Sequence, residues 1–372
     1  MGGTTPSGVR AVCSHDEDTA TMGVEAARIA LSSLSDSINP AAVWFSSSNP
    51  PYMDKTNANV IHAALQLDTN AAAYDFGGAE KSGIGALKAA LDSSKTLLLI
   101  QSDIRTGLPS SEDEGHGGDA ASALLIGGED EGDLIARYLG GSSANEEFIG
   151  RWRNPHEPNS KSWEERFVVA KYLQLIDSAW QEALSVTELS SGDISTVVIS
   201  GSNNRAKNQI SKILGVEKQR IDLFEDVGIA GAADATLLLT HALETSESGE
   251  IIAVVVLSDG IEVLLFEAGN QKNQSKDTIS SQISCRNEIT YQRFLQWKGN
   301  LDVQPPNRPA PSRISASAAA RESEWKHGFI ASKAEKSGMI HMPPSRVSAN
   351  PEDRIDTMDP ISMANTSGHV VT

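Results

Sequence analysis

Cysteine is nearly absent. The 372 residues hold two, Cys13 and Cys285, too few for a disulfide framework or a four-thiolate metal site, and in keeping with a reducing compartment. Long apolar runs are missing as well: no stretch reaches the roughly 18 residues that span a bilayer. Residues 1–8 lack the charged-then-apolar order of a signal peptide. The expectation is a cytoplasmic protein with no membrane partner. Positive charge is also scarce. Lys and Arg number 31 against 49 Asp and Glu, a formal net charge of −18. That argues against nucleic acid as a partner over the whole surface. A few converging Lys, Arg or N–H groups would still serve an anionic ligand.

What is present is enough for a sizeable core. Hydrophobic residues make up 39% and charged residues 22%, so the chain reads as mostly globular, with two or three domains. Residues 16–34 read as an amphipathic helix capped by the Asp16-Glu17-Asp18-Thr19 run. Then come a buried strand at 42–45, a polar turn, a helix near 57–67, a strand at 72–76, a helix at 83–91, and strands at 96–100 and 120–126. Residues 128–160 are charged and Gly/Ser-rich and read as a connection over the surface. Residues 162–188 are strongly helical.

The second half repeats the first, and such repeats are sought early. A strand at 196–200 leaves through Ser200-Gly201-Ser202-Asn203, matching Ser46-Ser47-Ser48-Asn49. A helix ends near 213–216, a strand stands at 221–224, and Gly228-Ile229-Ala230-Gly231 opens a helix to residue 243. Strands at 251–257 and 261–266 flank Ser258-Asp259-Gly260, a hairpin signal. Each half is strand, helix, strand, helix, strand, strand. The fold class is α/β, and duplication is favoured over chance alternation. Two sheets around a shared helical layer follow. Residues 270–288 read as a polar loop, Tyr291–Trp297 as a short ordered segment, and 301–315 as a Pro-rich linker.

Three stretches carry a resemblance. They are Asp16 to Ala27, then Pro51-Tyr52-Met53-Asp54-Lys55-Thr56-Asn57-Ala58 with Gly117-Gly118-Asp119-Ala120-Ala121, and Gly228 to Asp234. Over residues 9–270 the chain resembles the 3-hydroxy-3-methylglutaryl-CoA synthase-like branch of the thiolase superfamily. The resemblance implies a duplicated thiolase fold with five αβαβα layers and an acyl-CoA or related coenzyme A thioester as ligand. It implies a homodimer, or a heteromer with a thiolase-like protein. Over residues 291–372, Tyr291 to Trp297, Trp325-Lys326-His327-Gly328-Phe329 and Met342 to Val347 resemble the rubredoxin-like zinc ribbon that precedes an OB-fold in acyl-CoA-associated proteins. The expected domains are 1–150 and 151–290 for the two thiolase-like halves, 291–351 for the linker and degenerate ribbon, and 352–372 for the start of an OB-fold. The family's first strand is missing before the Asp16 helix, and the chain stops where a barrel would begin. The expectation is a fragmentary gene product.

The family's chemistry uses a Cys nucleophile at a helix N-terminus, a His and an Asn that polarise the thioester, and a Glu acid/base. The motifs put Glu80 at the Cys position, Ser202 at the His, Ile229 at the Asn and Ser48 near the Glu. All four roles are lost, which removes the known Claisen chemistry. Lys207 falls on a Lys that contacts CoA phosphates, with Arg205 near it. The helix N-termini at Gly83 and Gly231 offer backbone donors. Tyr52 and Asp54 are candidates for the pocket mouth, though a turn with a packed aromatic is slightly favoured. Glu80 and His116 are the candidates for new acid/base chemistry, His116 lying in an acidic loop where solvent exposure is the favoured reading. Cys13 and Cys285 read as incidental thiols. The ribbon's Cys positions fall on Ala334, Ser337, Ser348 and Pro351, so no metal is expected, and His327 and His341 are a weak signal. Two functions remain open. One is C–C bond formation or cleavage on an acyl-CoA by a mechanism without Cys, with Glu80 as acid/base. The other is a non-catalytic acyl-CoA-binding or scaffold subunit.

Overall fold

The structure, a computed structural model, describes residues 9–32, 39–128, 134–271, 277–305, 307–309, 311–354, 357–364 and 366. The chain divides into two compact units. One is Met1–Ala58 with Asn70–Val303, the other Asn59–Thr69 with Gln304–Thr372.

The first half runs α1 (Thr19–Ser32), β1 (Ala42–Ser47), α2 (Ala58–Ala64), β2 (Ala72–Gly77), α3 (Lys81–Leu91), β3 (Leu97–Asp103), the single turn α4 (Glu112–His116) and β4 (Ala120–Ile126). Asp18 Oδ1 accepts the Thr21 N–H at 2.8 Å and so starts α1. The remainder of the expected helix, 33–34, lies outside the described residues. The second half runs β5 (Ala136–Ala144), the short β6 (Arg151–Trp152) and β7 (Lys161–Ser162), α5 (Glu165–Thr187), β8 (Ile194–Gly201), α6 (Asn204–Ile213), β9 (Arg220–Ile221), α7 (Asp234–Thr245), β10 (Ile251–Leu257) and β11 (Ile261–Ala268). Two further helices, α8 (Ile279–Ser284) and α9 (Tyr291–Trp297), follow.

The two sheets share one plan. The first has the order β2-β1-β3-β4 and the second β9-β8-β10-β11-β5. In each, two strands flank the first parallel-paired strand, and an antiparallel strand follows the third. α3 and α7 lie between the sheets, α1 covers the outer face of the first, and α5 and α6 cover the outer face of the second. These are five layers, αβαβα.

The sequence builds the layers by side-chain alternation. Along β10, Ile252, Val254 and Val256 face the inner core with Leu87, Leu99 and Leu238. Ala253, Val255 and Leu257 face the outer core with Tyr172, Ile176 and Trp180 of α5. A strand covered on both faces reads as a continuous apolar run, as β10 does. On α5, Val169, Tyr172, Ile176, Ala179, Trp180 and Ala183 are buried at helical spacing, and the opposite face is polar.

Three local expectations are corrected. Residues 136–144, read as surface connection, form β5 and pair with β11. Its sequence is small and Gly-rich because α5 and β11 press on it: a Cβ on Gly141 would lie 2.2 Å from the Val263 carbonyl oxygen. Packing overrides β-propensity there. The strand expected at 221–224 is only Arg220–Ile221, and the loop expected over 270–288 contains α8.

The second unit holds α10 (Ala316–Arg321), α11 (Ser323–Gly328) and a three-stranded sheet of β12 (Ile330–Ala334), β13 (Ile340–His341) and β14 (Met358–Ser362), in the order β13-β12-β14.

Candidate functional site

The carboxyl ends of β1 and β3 set the site, the position where open α/β sheets place their ligands. β3 ends on Asp103, which is completely buried. Its carboxylate accepts from the Ser47 hydroxyl at 2.9 Å, the Ser48 N–H and hydroxyl at 2.7 Å each, the Asn49 N–H at 3.2 Å and the Ala232 N–H at 2.7 Å. One side chain thus ties the exit of β1 to the turn before α7. Burial pushes the Asp103 carboxyl up, against the pull of Arg105 and these donors. Gly231 completes the knot. Its φ is +56°, and a Cβ there would lie 2.2 Å from Asp103 Oδ2 and 2.9 Å from Arg105 Nη1. Only glycine combines that conformation with that approach. The candidate donor at Gly231 is therefore part of a closed knot, and the neighbouring Ala232 N–H already serves Asp103.

Glu80 immediately precedes α3, and its side chain makes no cap to its own helix. It turns instead to two arginines. Glu80 Oε1 lies 2.6 Å from Arg105 Nη2 and 3.3 Å from Arg151 Nε. Arg151 in turn holds Asp113 through two bonds, at 2.5 and 2.9 Å, and Arg105 is 3.8 Å from the same carboxylate. Two cations and two carboxylates alternate, with Glu80 only 12% and Arg105 only 7% exposed. Burial works against the Arg105 charge, but Glu80, Asp103 and Asp113 outweigh it and push its pKa up. Arg153 donates to the Ser48 carbonyl at 2.7 Å, so Ser48, expected near the acid/base position, is held on both sides. Burial, then the charges of Asp259 and Glu80, push the Tyr172 hydroxyl up.

Ile229 is buried, its N–H on the His116 carbonyl at 2.8 Å and its carbonyl accepting from Gly118 at 3.0 Å. Its side chain can donate nothing to an oxyanion. Ser202 is half-buried between β8 and α6, next to Asn203, which caps α6 by accepting the Ala206 N–H at 2.8 Å. Lys207 is 1% exposed. Its ammonium lies 5.7 Å from the centre of the Phe224 ring, and its charge lowers the Asp234 carboxyl that burial raises. His116, exposed, meets the same Phe224 ring edge-on at 5.3 Å. Arg205 is exposed and lies 3.3 Å from Glu165. Tyr52 is exposed beneath Lys55, and Asp54 is exposed. Cys13 has its thiol pushed up to about 12 by burial and then by Asp119, so it stays protonated at neutral pH. Cys285 is exposed at the end of α8.

In the second unit the expected ribbon positions hold no thiolate or imidazole. The Ser337 N–H and hydroxyl both donate to Asp353, at 3.1 and 2.6 Å, and Ser337 and then Ser348 hold that carboxyl below the usual range. The Ala349 N–H donates to His341 Nε2 at 3.2 Å. Ala334, Ser337, Ser348 and Pro351 do not fit a zinc ion. Among the described residues no group of three or more His, Cys, Asp or Glu is placed to hold a metal, and no helix is long and apolar enough to cross a membrane.

Sequence reasoning missed Asp103, Arg105, Asp113 and Arg151. Asp103 had a signal: an acidic residue closing an otherwise apolar strand, Leu97-Leu98-Leu99-Ile100-Gln101-Ser102-Asp103. Arg105 sits in a loop and Arg151 in the two-residue β6, and neither had one.

No protein-family profile matches the chain. The fold is the duplicated thiolase fold. A solved hydroxymethylglutaryl synthase of the curacin biosynthetic pathway, in complex with an acetyl-donor acyl carrier protein, superposes with a TM-score of 0.66 at 18% identity, over 78% of each chain. OleA of Xanthomonas campestris superposes at 0.60, with 16% identity over 69% of this chain and 83% of that one. In sequence, the chain is similar to the hydroxymethylglutaryl-CoA synthases of Thermococcus sibiricus and Methanopyrus kandleri. It is 27% and 25% identical to them, in each case over 78% of this chain and 87% of the relative.

Proposed function

We propose that this chain is a thiolase-fold protein that binds an acyl-CoA thioester and carries out no acyl transfer through residue 80. The similarity to hydroxymethylglutaryl-CoA synthases supports the ligand class. The carrying observation is Glu80 itself, a carboxylate gripped by Arg105 and Arg151 where the resemblance puts the thiolate nucleophile. A carboxylate paired with two guanidinium groups is a weak nucleophile, and an acyl carboxylate would be a mixed anhydride that water cleaves. Ser202 and Ile229 stand where the polarising His and Asn would be, and neither can replace both donors. Arg205 remains the exposed cation for a phosphate, and a homodimer or a complex with a thiolase-like partner remains the expected assembly.

Calorimetric titration with acetyl-CoA and 3-hydroxy-3-methylglutaryl-CoA tests the reading, together with intact-protein mass after incubation. Binding without an acetyl adduct and without condensation product is expected. An adduct on the protein, or condensation, overturns it.

A second reading is C–C bond cleavage with Glu80 as acid/base. It is favoured by Glu80 being a carboxylate only 12% exposed at the head of α3. Cleavage of a 3-hydroxyacyl-CoA that disappears in Glu80→Gln would select it, and cleavage that persists in Glu80→Gln removes Glu80 from the chemistry.

A further inference from the structure

Residues 150–163 leave the body of the first unit and return to it. Phe148 and Val168, both buried in the outer core, hold the two ends. Between them the chain forms the hairpin β6–β7, joined by residues 153–160, and among the described residues its strands pair only with each other. None of residues 151–164 is buried. Trp163 is 54% exposed, its ring centre 6.2 Å from that of Trp152. The main-chain bonds stay within the segment: the Trp163 N–H donates to Gly150 at 2.9 Å and the Glu157 N–H to Asn154 at 3.0 Å.

Two arginines tie this hairpin to the site. Arg151 holds Asp113 through two bonds, at 2.5 and 2.9 Å, and its Nε lies 3.3 Å from Glu80. Arg153 donates to the Ser48 carbonyl at 2.7 Å and to the Asn49 side-chain oxygen at 3.3 Å. Among the described residues the hairpin's other charged pair, Lys161 with Glu157, is internal. The anchors belong to three separate segments: Glu80 ahead of α3, Asp113 in α4, and Ser48-Asn49 at the exit of β1. The hairpin therefore bridges the carboxyl end of the first sheet, where the site lies.

We propose that the β6–β7 hairpin is a lid over the Glu80 site, latched by Arg151 and Arg153, and that it lifts to admit a ligand. A segment held by ion pairs and hydrogen bonds, with little apolar surface buried, opens far more readily than the whole unit unfolds. Closed, the lid shields Glu80, which is 12% exposed, from bulk water. Lifted, it uncovers Glu80, Asp113 and the Ser48 carbonyl together. The latch is graded. Arg153 is exposed and holds through neutral oxygens, so it releases first. Arg151 is 22% exposed and grips two carboxylates, so its release is the harder step, and salt eases it in part. The lid goes beyond the proposed function and does not depend on it, because the ligand-free chain reports the motion.

Two readouts on the full chain test it. Trypsin takes the cleaved residue's cationic side chain into its own pocket, so it cuts after Arg151 only when Arg151 has left Glu80 and Asp113. Carboxyl labelling with a carbodiimide and glycine ethyl ester, located by peptide mass, reads how open Glu80 is. Nicking after Arg151 and labelling of Glu80 should both rise severalfold between about 0.05 and 0.5 M salt. A synthetic peptide of residues 150–163 corrects for the effect of salt on trypsin. Arg153→Gln, a surface change, should raise both by about fivefold, the loss of one exposed anchor. The two rise alike because each tracks the open population when closing is fast. Lys207, 1% exposed, reports global unfolding, and cleavage after it should stay slow and unchanged. Nicking indifferent to both salt and Arg153→Gln overturns the latch. Nicking that rises while Glu80 labelling stays constant overturns the lid, because the hairpin then covers nothing. Cleavage after Arg151 no faster than after Lys207 overturns both, because the segment then opens only by unfolding.

Discussion

Truncation of Glu80 to alanine should destabilise the first unit by about 3 kcal/mol, and the figure follows from the geometry. The contacts of Glu80 Oε1 with Arg105 and Arg151, at 2.6 and 3.3 Å, carry Coulomb attractions of ~6 and ~5 kcal/mol at an effective dielectric of ~20. Desolvation of three charged groups offsets most of that in the intact protein. Removing one partner does not refund the desolvation, because Arg105 stays buried. Breaking a buried pair costs ~3–5 kcal/mol. The lower end applies here, since Asp113 remains bonded to Arg151 and 3.8 Å from Arg105, and Arg151 is 22% exposed. Urea denaturation followed by tryptophan fluorescence reads the loss, because Trp180 is buried in the outer core of this unit. A fall in Tm of ~6–12 °C should accompany it. Arg105→Met should cost less in the Glu80→Ala chain than in the native one, by about 2 kcal/mol. A Glu80→Ala chain within ~0.5 kcal/mol of the native protein, with Arg105→Met costing the same in both backgrounds, would refute the view that Glu80 is held as an ion-pair member.

Gly231→Ala should cost about 2–4 kcal/mol in the same denaturation assay, because the new Cβ meets Asp103 at a φ of +56°. Asp259→Asn should raise stability at pH 7 by ~0.5 kcal/mol, discounted for solvent screening. Burial is the largest cause raising the Asp259 carboxyl, Glu80 adds to it, and Lys81 opposes it. A raised folded pKa means the folded state holds the proton more tightly, so stability falls as pH rises from the unfolded value of 3.8 through the folded one. Denaturation at a series of pH values should show the advantage of Asn vanish below that window, and the left-handed φ of 46° at this position suits Asn. In the second unit, Asp353→Ala should speed amide exchange across residues 330–354, since it releases Ser337 and Ser348. A strong chelator should leave the Tm of the native chain unchanged, and a chelator-induced fall would restore a metal to that unit.

Periodicity and punctuation, read from the sequence alone, determined the order of strands and helices and its repetition in two halves, and the resemblance supplied the five αβαβα layers. Val254 and Val255 fall on opposite sides of β10 because the strand repeat is two. Asp259-Gly260 turns the chain between two apolar runs because a tight hairpin needs positive φ, and the matched exits at Ser46–Asn49 and Ser200–Asn203 mark the duplication. Local chemistry decides such features, so they are legible in order along the chain. Tertiary structure decided the rest. β5 is hidden in a glycine-rich stretch because its strand character comes from β11 and α5, not from its own residues. Glu80 could be placed at the head of α3 from sequence, but not its engagement, because Arg105 comes from the loop after β3 and Arg151 from the short β6, and they meet it only in the fold. The buried knot at Asp103 likewise joins positions more than a hundred residues apart. Charge partners in a folded interior are chosen by proximity in space, and sequence spacing carries no record of it.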